Sequence, residues 1–459
     1  MEPDSARAAA AKKQRDLMES VPVRPLLWKL AIPSIAAQIV NLLYNIVDRI
    51  YIGHIPGIGA AALTGVGLIA PLMMLVNAFA MLVGTGGAPR ASISMGQHDY
   101  HKAERILGNC AALVIVISVV LTPILFAAAP PLLRFFGASA STLPYALSYG
   151  RIYLLGTIFI MTTMALNLFI SAQGYTRFSM MTTVIGAVLN IILDPILIFG
   201  FKMGVRGAAV ATVISQAVSA LWIFFFLRGK KTQLKIRKEN IHPDIHLILP
   251  ILGLGLSTFV MSATESLLSI CFNHNLAAYG GDLAVGAMTI ITSFVTLVSM
   301  PLSGLYQGGQ PIVSYNYGAG RHDRVKAVIK QMLIISICYT VLFWAVIQLA
   351  PTALVRIFTN DPALIKEAIP AMHVYFAVIF TVAFQNTCQQ SFVALSQAPI
   401  SLFLACLRKL ILLIPLIFIL PHFFTDKVFA VFLAEPISDS LAAIVTTYMF
   451  YRRSKKILN

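Results

Sequence analysis

Acidic residues are scarce in this chain of 459 residues, and so are charged residues of either sign. Asp and Glu together number 18, and charged side chains make up 11% of the sequence, against roughly 25% in an ordinary soluble domain. Hydrophobic residues reach 58%, and the mean hydropathy is +0.82. This balance excludes an ordinary soluble protein and predicts an integral membrane protein.

Cysteine is also sparse, with five residues at irregular spacing inside apolar runs. That pattern favours small buried side chains over a disulfide framework or a metal site, and no cofactor is expected. Residues 1–24 lack the apolar core of a secretory signal, so we expect a flexible cytoplasmic tail. His274 and His373 are isolated within the apolar runs, which argues against a membrane enzyme.

Apolar runs of about 20 residues, the length that crosses a hydrocarbon core of about 30 Å, recur along the chain. They are too long and continuous for the strands of a membrane barrel. The predicted fold class is therefore an all-α membrane protein with about twelve transmembrane helices. The predicted spans are 25–52, 59–86, 106–129, 145–172, 177–200, 207–227, 246–278, 284–310, 327–350, 369–395, 399–421 and 428–451.

Lys and Arg, 34 in all, fall in alternate loops. The basic clusters are Arg7/Lys12/Lys13/Arg15/Arg24, Arg90/Lys102/Arg105, Arg228/Lys230/Lys231/Lys235/Arg237/Lys238, Arg321/Arg324/Lys326/Lys330 and Arg452/Arg453/Lys455/Lys456. By the positive-inside rule both termini are cytoplasmic, as an even number of spans requires, and we expect a multi-pass protein of the plasma (inner) membrane. The net charge of +16 thus reflects topology and does not favour a nucleic-acid partner.

The two halves of the chain resemble copies of each other. Aligning Pro33 with Pro250 also aligns Asp48 with Glu265, and a second alignment pairs "GTGGAPRASISMGQ" (84–97) with "YQGGQPIVSYNYGA" (306–319). Six spans per copy give both halves one orientation, so a pseudo-two-fold axis along the membrane normal is predicted, with substrate bound between the halves. The predicted domains are a tail (1–24), an N-terminal six-helix lobe (25–228), an inter-lobe loop (229–245), a C-terminal six-helix lobe (246–452) and a tail (453–459).

Polar side chains line one face of the first span. Gln38, Asn41, Asn45 and Asp48 are spaced so that they share a helix face. An ionisable side chain in the middle of a bilayer costs at least about 2.5–3.5 kcal/mol on insertion scales. This stripe is therefore expected to face protein or water.

The fifth span contains a second acid, in "NIILDPILIFG" (190–200). Asn190 and Asp194 are four residues apart and share a face, and Pro195 leaves the carbonyl of Ile191 without its helical donor. Such oxygens suit Na⁺ or a shared proton, so Asp194 together with Asp48 is predicted to hold a coupling cation, with Thr212 as a hydroxyl partner. The alternative is that Asp194 satisfies neighbouring hydroxyls, Pro195 only kinks the helix and the Thr212 hydroxyl bonds to its own backbone.

The second half contains no counterpart of Asp194, because the aligned segment reads "LLIPLIFIL". We therefore place the main cation site in the N-terminal half. Glu265 is interpreted as a second site, a substrate counter-charge or an anchor of a hydrated cavity. Arg408 and Lys409 are expected to snorkel to the cytoplasmic face. Glu435 and Asp439 lie near the predicted start of the last helix, where N-terminal capping and dipole pairing explain them about as well as transport does.

Five segments together resemble the multidrug and toxic compound extrusion (MATE) transporters, and within them the DinF-like and MepA-like bacterial branch. The segments are "VDRIYIGHIPGIGAAALTGVG" (47–67), "GTGGAPRASISMGQ" (84–97), "NIILDPILIFG" (190–200), "GVRGAAVATVISQ" (204–216) and "QGGQPIVSYNYGAG" (307–320). The resemblance implies an antiporter with two lobes around a central cavity, which exports cationic or amphipathic compounds in exchange for H⁺ or Na⁺. Because the pair of lobes is self-contained, we expect a monomer. The family's cation-site residues fall here on Asp48, Asn190, Asp194, Thr212, Tyr153 and Asn167.

The tenth span departs from the NorM-like branch of that family. It carries Gln385 and Asn386 where that branch adds an acid, which argues against a sodium site in the C-terminal lobe. The rival function is a flippase for a lipid-linked or polyprenyl precursor, which would need a cationic cavity, whereas the charges within the predicted spans are mainly acidic. A channel would need a continuous polar pore, and the polar stripes cover only parts of the spans.

Overall fold

Helices account for most of the computed structural model, which describes residue 12, residues 15–229 and residues 231–458. The N-terminal lobe contains α1 (Val23–Gly53), α2 (Gly59–Gly96), α3 (Tyr100–Phe135), α4 (Leu143–Leu155), α5 (Thr157–Ala172), α6 (Thr176–Pro195) and α7 (Val205–Arg228). The C-terminal lobe contains α8 (Ile245–Gly318), α9 (His322–Leu349), α10 (Pro351–Arg356), α11 (Pro362–Tyr375), α12 (Phe380–Ala394), α13 (Ala398–Cys406), α14 (Ile414–Ile419) and α15 (Lys427–Ile457).

These helices form twelve spans. Nine helical segments of the described chain are long and apolar enough to cross a membrane, and two pairs, α4 with α5 and α11 with α12, do so as pairs bent by 56° and 51°. The 74-residue α8 contributes one more, because Gly281, with φ 62° and ψ −153°, breaks it into two arms. Each arm still exceeds the roughly 20 residues that a bilayer requires.

The described part of the predicted N-terminal tail is packed against the C-terminal lobe. Residues 15–20 are helical, the buried Glu19 forms an ion pair with Arg321 at 2.8 Å, and Arg324 donates to the carbonyls of Met18 and Val21 at 2.8 and 2.7 Å. The expected flexible tail is thus wrong for these residues. Of the basic residues used for topology, Arg7, Lys13 and Lys230 lie outside the described residues.

At several contacts between the two lobes, the backbone of one lobe packs directly against the backbone of the other. A Cβ on Gly96 would lie 2.0 Å from the carbonyl oxygen of Tyr315, and one on Gly318 would lie 2.0 Å from that of Ile93. A Cβ on Gly255 would lie 1.8 Å from the carbonyl oxygen of Leu82. Gly96, Gly318, Ile93 and Tyr315 lie beside loops 97–99 and 319–321, at the membrane side that we call the closed end, whereas Leu82 lies deeper in α2, next to the cavity-lining Met81. The predicted glycine motifs therefore serve inter-lobe packing.

Matching contacts show that the lobes are copies. In the N-terminal lobe, Asn167 donates to the carbonyl of Ser179 at 3.2 Å. In the C-terminal lobe, Gln389 donates to the carbonyl of Ser401 at 2.8 Å. The donor and the acceptor of the second bond each lie 222 positions after those of the first. The same separation relates the Gly96–Tyr315 contact to the Gly318–Ile93 contact. The pseudo-two-fold arrangement is thereby visible in individual hydrogen bonds.

The first helix of each lobe follows a different register from the one predicted. Gly86 approaches Ile251, and the equivalent Gly308 approaches Ala31, so α1 and α8 correspond at a separation of 220 positions instead of 217. This shift is close to one helical turn, and it makes Asn45 the counterpart of Glu265. Both are exposed, whereas Asp48 is buried. The pairing of Asp48 with Glu265 is therefore wrong, because the two prolines used to align the helices are not equivalent.

The contact between the lobes predicts opposite effects for two neighbouring glycines of α8. We expect Gly255→Ala to lower the thermal unfolding midpoint of the purified protein, because forcing apart packed backbones costs about 1–3 kcal/mol. Gly253→Ala is the matched control, since nothing lies within 4 Å of its Cβ position, and it should keep or raise the midpoint through helix propensity. Equal midpoints for both variants, measured by differential scanning fluorimetry, would contradict this account of the interface.

Candidate cation and substrate site

The fifth span changes helical type at its acidic residue. α6 ends at Pro195 and continues as a π-helical segment, Ile196–Gly200. Such segments are frequent at functional sites because they disturb the regular backbone ladder. Asn190 and Asp194, which precede this segment, lie on the buried face of α6.

Asn190 joins the fifth span to the sixth. Its Nδ2 lies 3.4 Å from Asp194 Oδ1 and 3.4 Å from Thr212 Oγ1. The Thr212 hydroxyl donates to the carbonyl of Ala208 at 3.1 Å, so its lone pairs remain directed toward Asn190. Thr212 thus bonds to its own backbone, as in the alternative, and also lies beside Asn190.

Asp48 of α1 completes the group. Its side chain lies close enough to Asp194 for a direct interaction, and the two residues are 9% and 0% exposed. In the described chain, Asp48 Oδ1, Asp194 Oδ2 and Asn190 Oδ1 are buried without a hydrogen-bond partner. Three unpartnered oxygens at one place are suited to a small cation or to a proton held between carboxylates.

A cavity of about 380 Å³ adjoins this group and reaches the other lobe. Gln38, Asn41 and Asn167 line it together with Asn190 and Thr212. Across the cavity the C-terminal lobe contributes Ser303 and Gln307, and the Gln38 amide lies 3.4 Å from Gln307 Oε1. The volume lies within the range of about 300–1,000 Å³ typical of small-molecule sites.

The C-terminal lobe contains ion pairs at a second π-helical segment, Leu407–Leu413. Arg408 lies 2.6 Å from Asp439 and 3.2 Å from Glu435, and Lys409 forms an ion pair with Glu265. The expectation that the two cations snorkel to the surface is wrong, because carboxylates on α8 and α15 bind them and both cations are largely buried.

One other prediction about the C-terminal lobe also changes. Glu435 and Asp439 lie in the interior of α15, whose N-cap is Asp426, so helix capping does not explain them. Arg408 and Lys409 accompany three carboxylates in one cavity of this lobe, so acids outnumber bases there. Of the neutral residues on the tenth span, Gln385 is buried and Asn386 lines a cavity beside these charges.

Comparison with known proteins identifies the family. The family model MatE matches residues 33–196 and 257–419, one block in each lobe and together more than two-thirds of the chain. The chain belongs to the MatE family. It is therefore a membrane transporter and not an enzyme, as the sequence predicts.

Relatives and solved structures agree with this assignment. The chain is 26% identical over 443 residues to the multidrug export protein MepA of Staphylococcus aureus, covering 95% of this chain and 96% of that one. It is 25% identical over 432 residues to MepA of Staphylococcus haemolyticus, covering 90% and 91%. The fold matches a crystal structure of MATE in the bent conformation with a TM-score of 0.91 at 24% identity, over 97% of this chain and 98% of that one.

Tyrosines that the sequence analysis did not select surround the acids of this MatE protein. The Tyr149 hydroxyl lies within hydrogen-bonding reach of Thr212 and near Asp48, and Tyr44 lies near both acids. The predicted Tyr153 stacks on Tyr149, with ring centroids 6.2 Å apart. Tyr44 is three residues after Asn41 on the polar face of α1, a spacing that could have revealed it.

The MatE fold brings together some of the predicted site residues and separates others. Asp48, Asn190, Asp194 and Thr212 come together. Gln38, Asn41 and Asn167 line the adjoining cavity. Asn45 is exposed and turned back on its own helix, donating to the carbonyl of Asn41 at 2.6 Å. Glu265 lies in the other lobe, paired with Lys409.

The burial of Asp194 predicts that its carboxylate lowers the stability of the fold. We expect Asp194→Asn to raise the thermal unfolding midpoint, because an unpaired buried acceptor costs about 1–3 kcal/mol and the amide removes its charge. The matched control is Asp282→Asn on the exposed part of α8, which should leave the midpoint unchanged. A lower midpoint for Asp194→Asn, measured in the same detergent, would show that the carboxylate is structurally required.

Proposed function

We propose that the protein is a secondary active antiporter that exports cationic or amphipathic compounds in exchange for H⁺ or Na⁺. The observation that carries this proposal is the set of unpartnered buried oxygens on Asp48, Asn190 and Asp194 beside a cavity shared by both lobes. The name of the MepA relatives, multidrug export protein, supports the same class of substrate.

The coupling cation would act on the N-terminal lobe. A proton or Na⁺ bound at Asp48 and Asp194, with Asn190, Thr212, Tyr153 and Asn167 around them, neutralises charge that is otherwise unpaired. Helices α1, α6 and α7 then repack, because their buried faces meet at these side chains. Repacking of α1 moves Gln38 and Asn41 in the cavity wall and weakens the binding of substrate there.

Energetics favour exchange over simple export. Moving a monovalent cation outward against an inside-negative potential costs about 2.3 kcal/mol per 100 mV. One cation moving inward cancels that electrical cost. The chemical gradient of H⁺ or Na⁺ then drives export.

Topology follows from the basic loops. The closed end carries Arg321, Arg324 and the Arg105–Asp244 pair. Under the positive-inside rule these basic residues support a cytoplasmic position for the closed end and for both termini. We therefore propose that this conformation is closed toward the cytoplasm. We propose alternating access of the two lobes in a monomer of the plasma (inner) membrane, surrounded by lipid.

A flippase for a lipid-linked or polyprenyl precursor is the second candidate. Recognition of phosphate would require basic side chains at the binding cavity. The described lining of the 380 Å³ cavity contains neither Lys nor Arg. Arg408 and Lys409 lie beside a cavity of the C-terminal lobe, but both are bound by carboxylates.

Ethidium efflux from energised vesicles tests the antiporter. Wild-type protein should export ethidium when either a pH gradient or a Na⁺ gradient is imposed alone, and the effective gradient names the coupling ion. Asp194→Asn should reduce that efflux at least about tenfold, since the amide cannot take up a proton or neutralise Na⁺. Asp282→Asn serves as the control of equal charge change. Efflux that ignores both gradients would contradict the proposal and favour the flippase.

A further inference from the structure

The segment that precedes α1 packs on the opposite lobe. This N-terminal arm (residues 15–21) is joined to α1 of the N-terminal lobe through Pro22. It bonds to the C-terminal lobe at the closed end, where α8 ends and α9 begins. The Glu19 carboxylate pairs with Arg321 at 2.8 Å and accepts from the Tyr315 hydroxyl at 3.2 Å. The arm therefore connects the two lobes at the closed end.

The C-terminal lobe also binds the backbone of the arm. The Arg324 guanidinium donates to the carbonyls of Met18 and Val21 at 2.8 and 2.7 Å. The Asn316 side chain orients this guanidinium, because its Oδ1 accepts from Arg324 Nε at 3.1 Å. Met18 is fully buried, and Glu19 is 7% exposed. Charge-assisted hydrogen bonds and apolar burial thus hold the arm in place together.

The inter-lobe loop makes the reciprocal connection. Asp244 is the N-cap of α8, the first helix of the C-terminal lobe, and α3 of the N-terminal lobe binds it. Arg105 lies 2.6 Å from the Asp244 carboxylate, and the Asn109 side chain accepts from its backbone N–H at 2.7 Å. A Cβ on Gly108 would lie 2.2 Å from the carbonyl oxygen of Asn240, so the loop lies directly on α3. Each lobe thus binds the segment that leads into the first helix of the other.

Separation of the lobes at the closed end must break both connections. A single residue lies between Val21 and the start of α1, and a chain extends by at most about 3.6 Å per residue. Asp244 has no spacer at all, because its own carboxylate caps α8. When α1 moves with the N-terminal lobe and α8 with the C-terminal lobe, the bonds to Arg324 and Arg105 cannot both persist.

We propose that these two connections form a latch that holds the closed end shut, and that Glu19 and Arg321 set the share of molecules that open there. The inference rests on the proposed alternating access of the two lobes. The Arg321 and Arg105 side chains are 47% and 43% exposed. Water can therefore replace their bonds as the lobes separate, so the latch favours closure and still permits release.

The latch lies far from the proposed cation site. Asp48 is near the opposite end of α1 from the arm, about 40 Å away along a helix that rises 1.5 Å per residue. Changes in the latch should therefore shift the balance between open and closed molecules and leave the ion-binding side chains in place. This effect on the resting conformation distinguishes the latch from the acids of the N-terminal lobe.

Double electron–electron resonance on the full-length protein in nanodiscs measures the opening. Spin labels are attached to Arg177→Cys and Pro399→Cys, two exposed positions in the first turns of α6 and α13. These helices begin at the closed end, one in each lobe, so the distance between the labels increases when that end opens. The exposed Cys338 is replaced by Ser to keep the labelling specific.

Loss of one charged partner should open the closed end. Glu19→Gln and Arg321→Gln should each raise the share of molecules with the longer distance at least about fivefold, because each removes a charge-assisted hydrogen bond. The double variant should open no further than the single ones, since both remove the same bond. Asp16→Asn, an exposed acid of the same arm, is the control and should keep the wild-type distribution.

Two more variants keep the test decisive if a neutral variant does not fold. Arg321→Lys keeps the charge and should open fewer molecules than Arg321→Gln. Arg105→Gln removes the second connection and should shift the distances in the same direction as Glu19→Gln. A distribution that stays at the wild-type one in all variants, or effects of Glu19→Gln and Arg321→Gln that multiply in the double variant, overturns the inference.

The outcome is separable from that of the antiporter proposal. Gradient-driven efflux combined with distances that ignore Glu19 and Arg321 would overturn the latch and leave antiport intact. Distances that depend on Glu19 and Arg321, without gradient-driven efflux, would support the latch and reject antiport.

Discussion

Contact between the lobes depends on positions where a helix has no Cβ. Gly255 against Leu82, and Gly96 and Gly318 against Tyr315 and Ile93, let backbone approach backbone across the pseudo-two-fold axis. In a bilayer, where apolar surface gains little by leaving lipid, such close packing is a main source of association between helices. The closed end follows from it, and so does the depth at which Gln38 faces Gln307 across the cavity.

The two lobes share one arrangement of helices but differ in how their charged side chains are paired. In both lobes the fifth span contains a π-helical segment, Ile196–Gly200 in one and Leu407–Leu413 in the other. The first follows Asp194, whose carboxylate forms no ion pair among the residues that the structure describes, and the second contains Arg408 and Lys409. The two cations of the C-terminal lobe are bound by three carboxylates, as buried charges must be paired.

The sequence predicted much of this arrangement. Hydropathy predicted the twelve spans, and the spacing of Asn190 and Asp194 predicted their shared face, because a helix places such residues together by local geometry alone. It did not predict the partners of Arg408 and Lys409, whose carboxylates lie on α8 and α15, far away in the chain. Nor did it find Tyr149, because a buried tyrosine resembles core packing until its hydroxyl is seen beside Thr212.

Composition and periodicity determined by themselves that this chain is a helical membrane protein built from two copies. They also determined that some of its spans contain acidic residues, which are costly to bury in lipid. Those properties are local, since the cost of burying charge and the length of a span depend only on the segment concerned. Tertiary structure alone decided the register between the copies. A shift of about one turn leaves every local pattern intact, yet it separates Asp48 from Glu265 and sets Glu265 beside Lys409, because only packing between helices distinguishes one turn from the next.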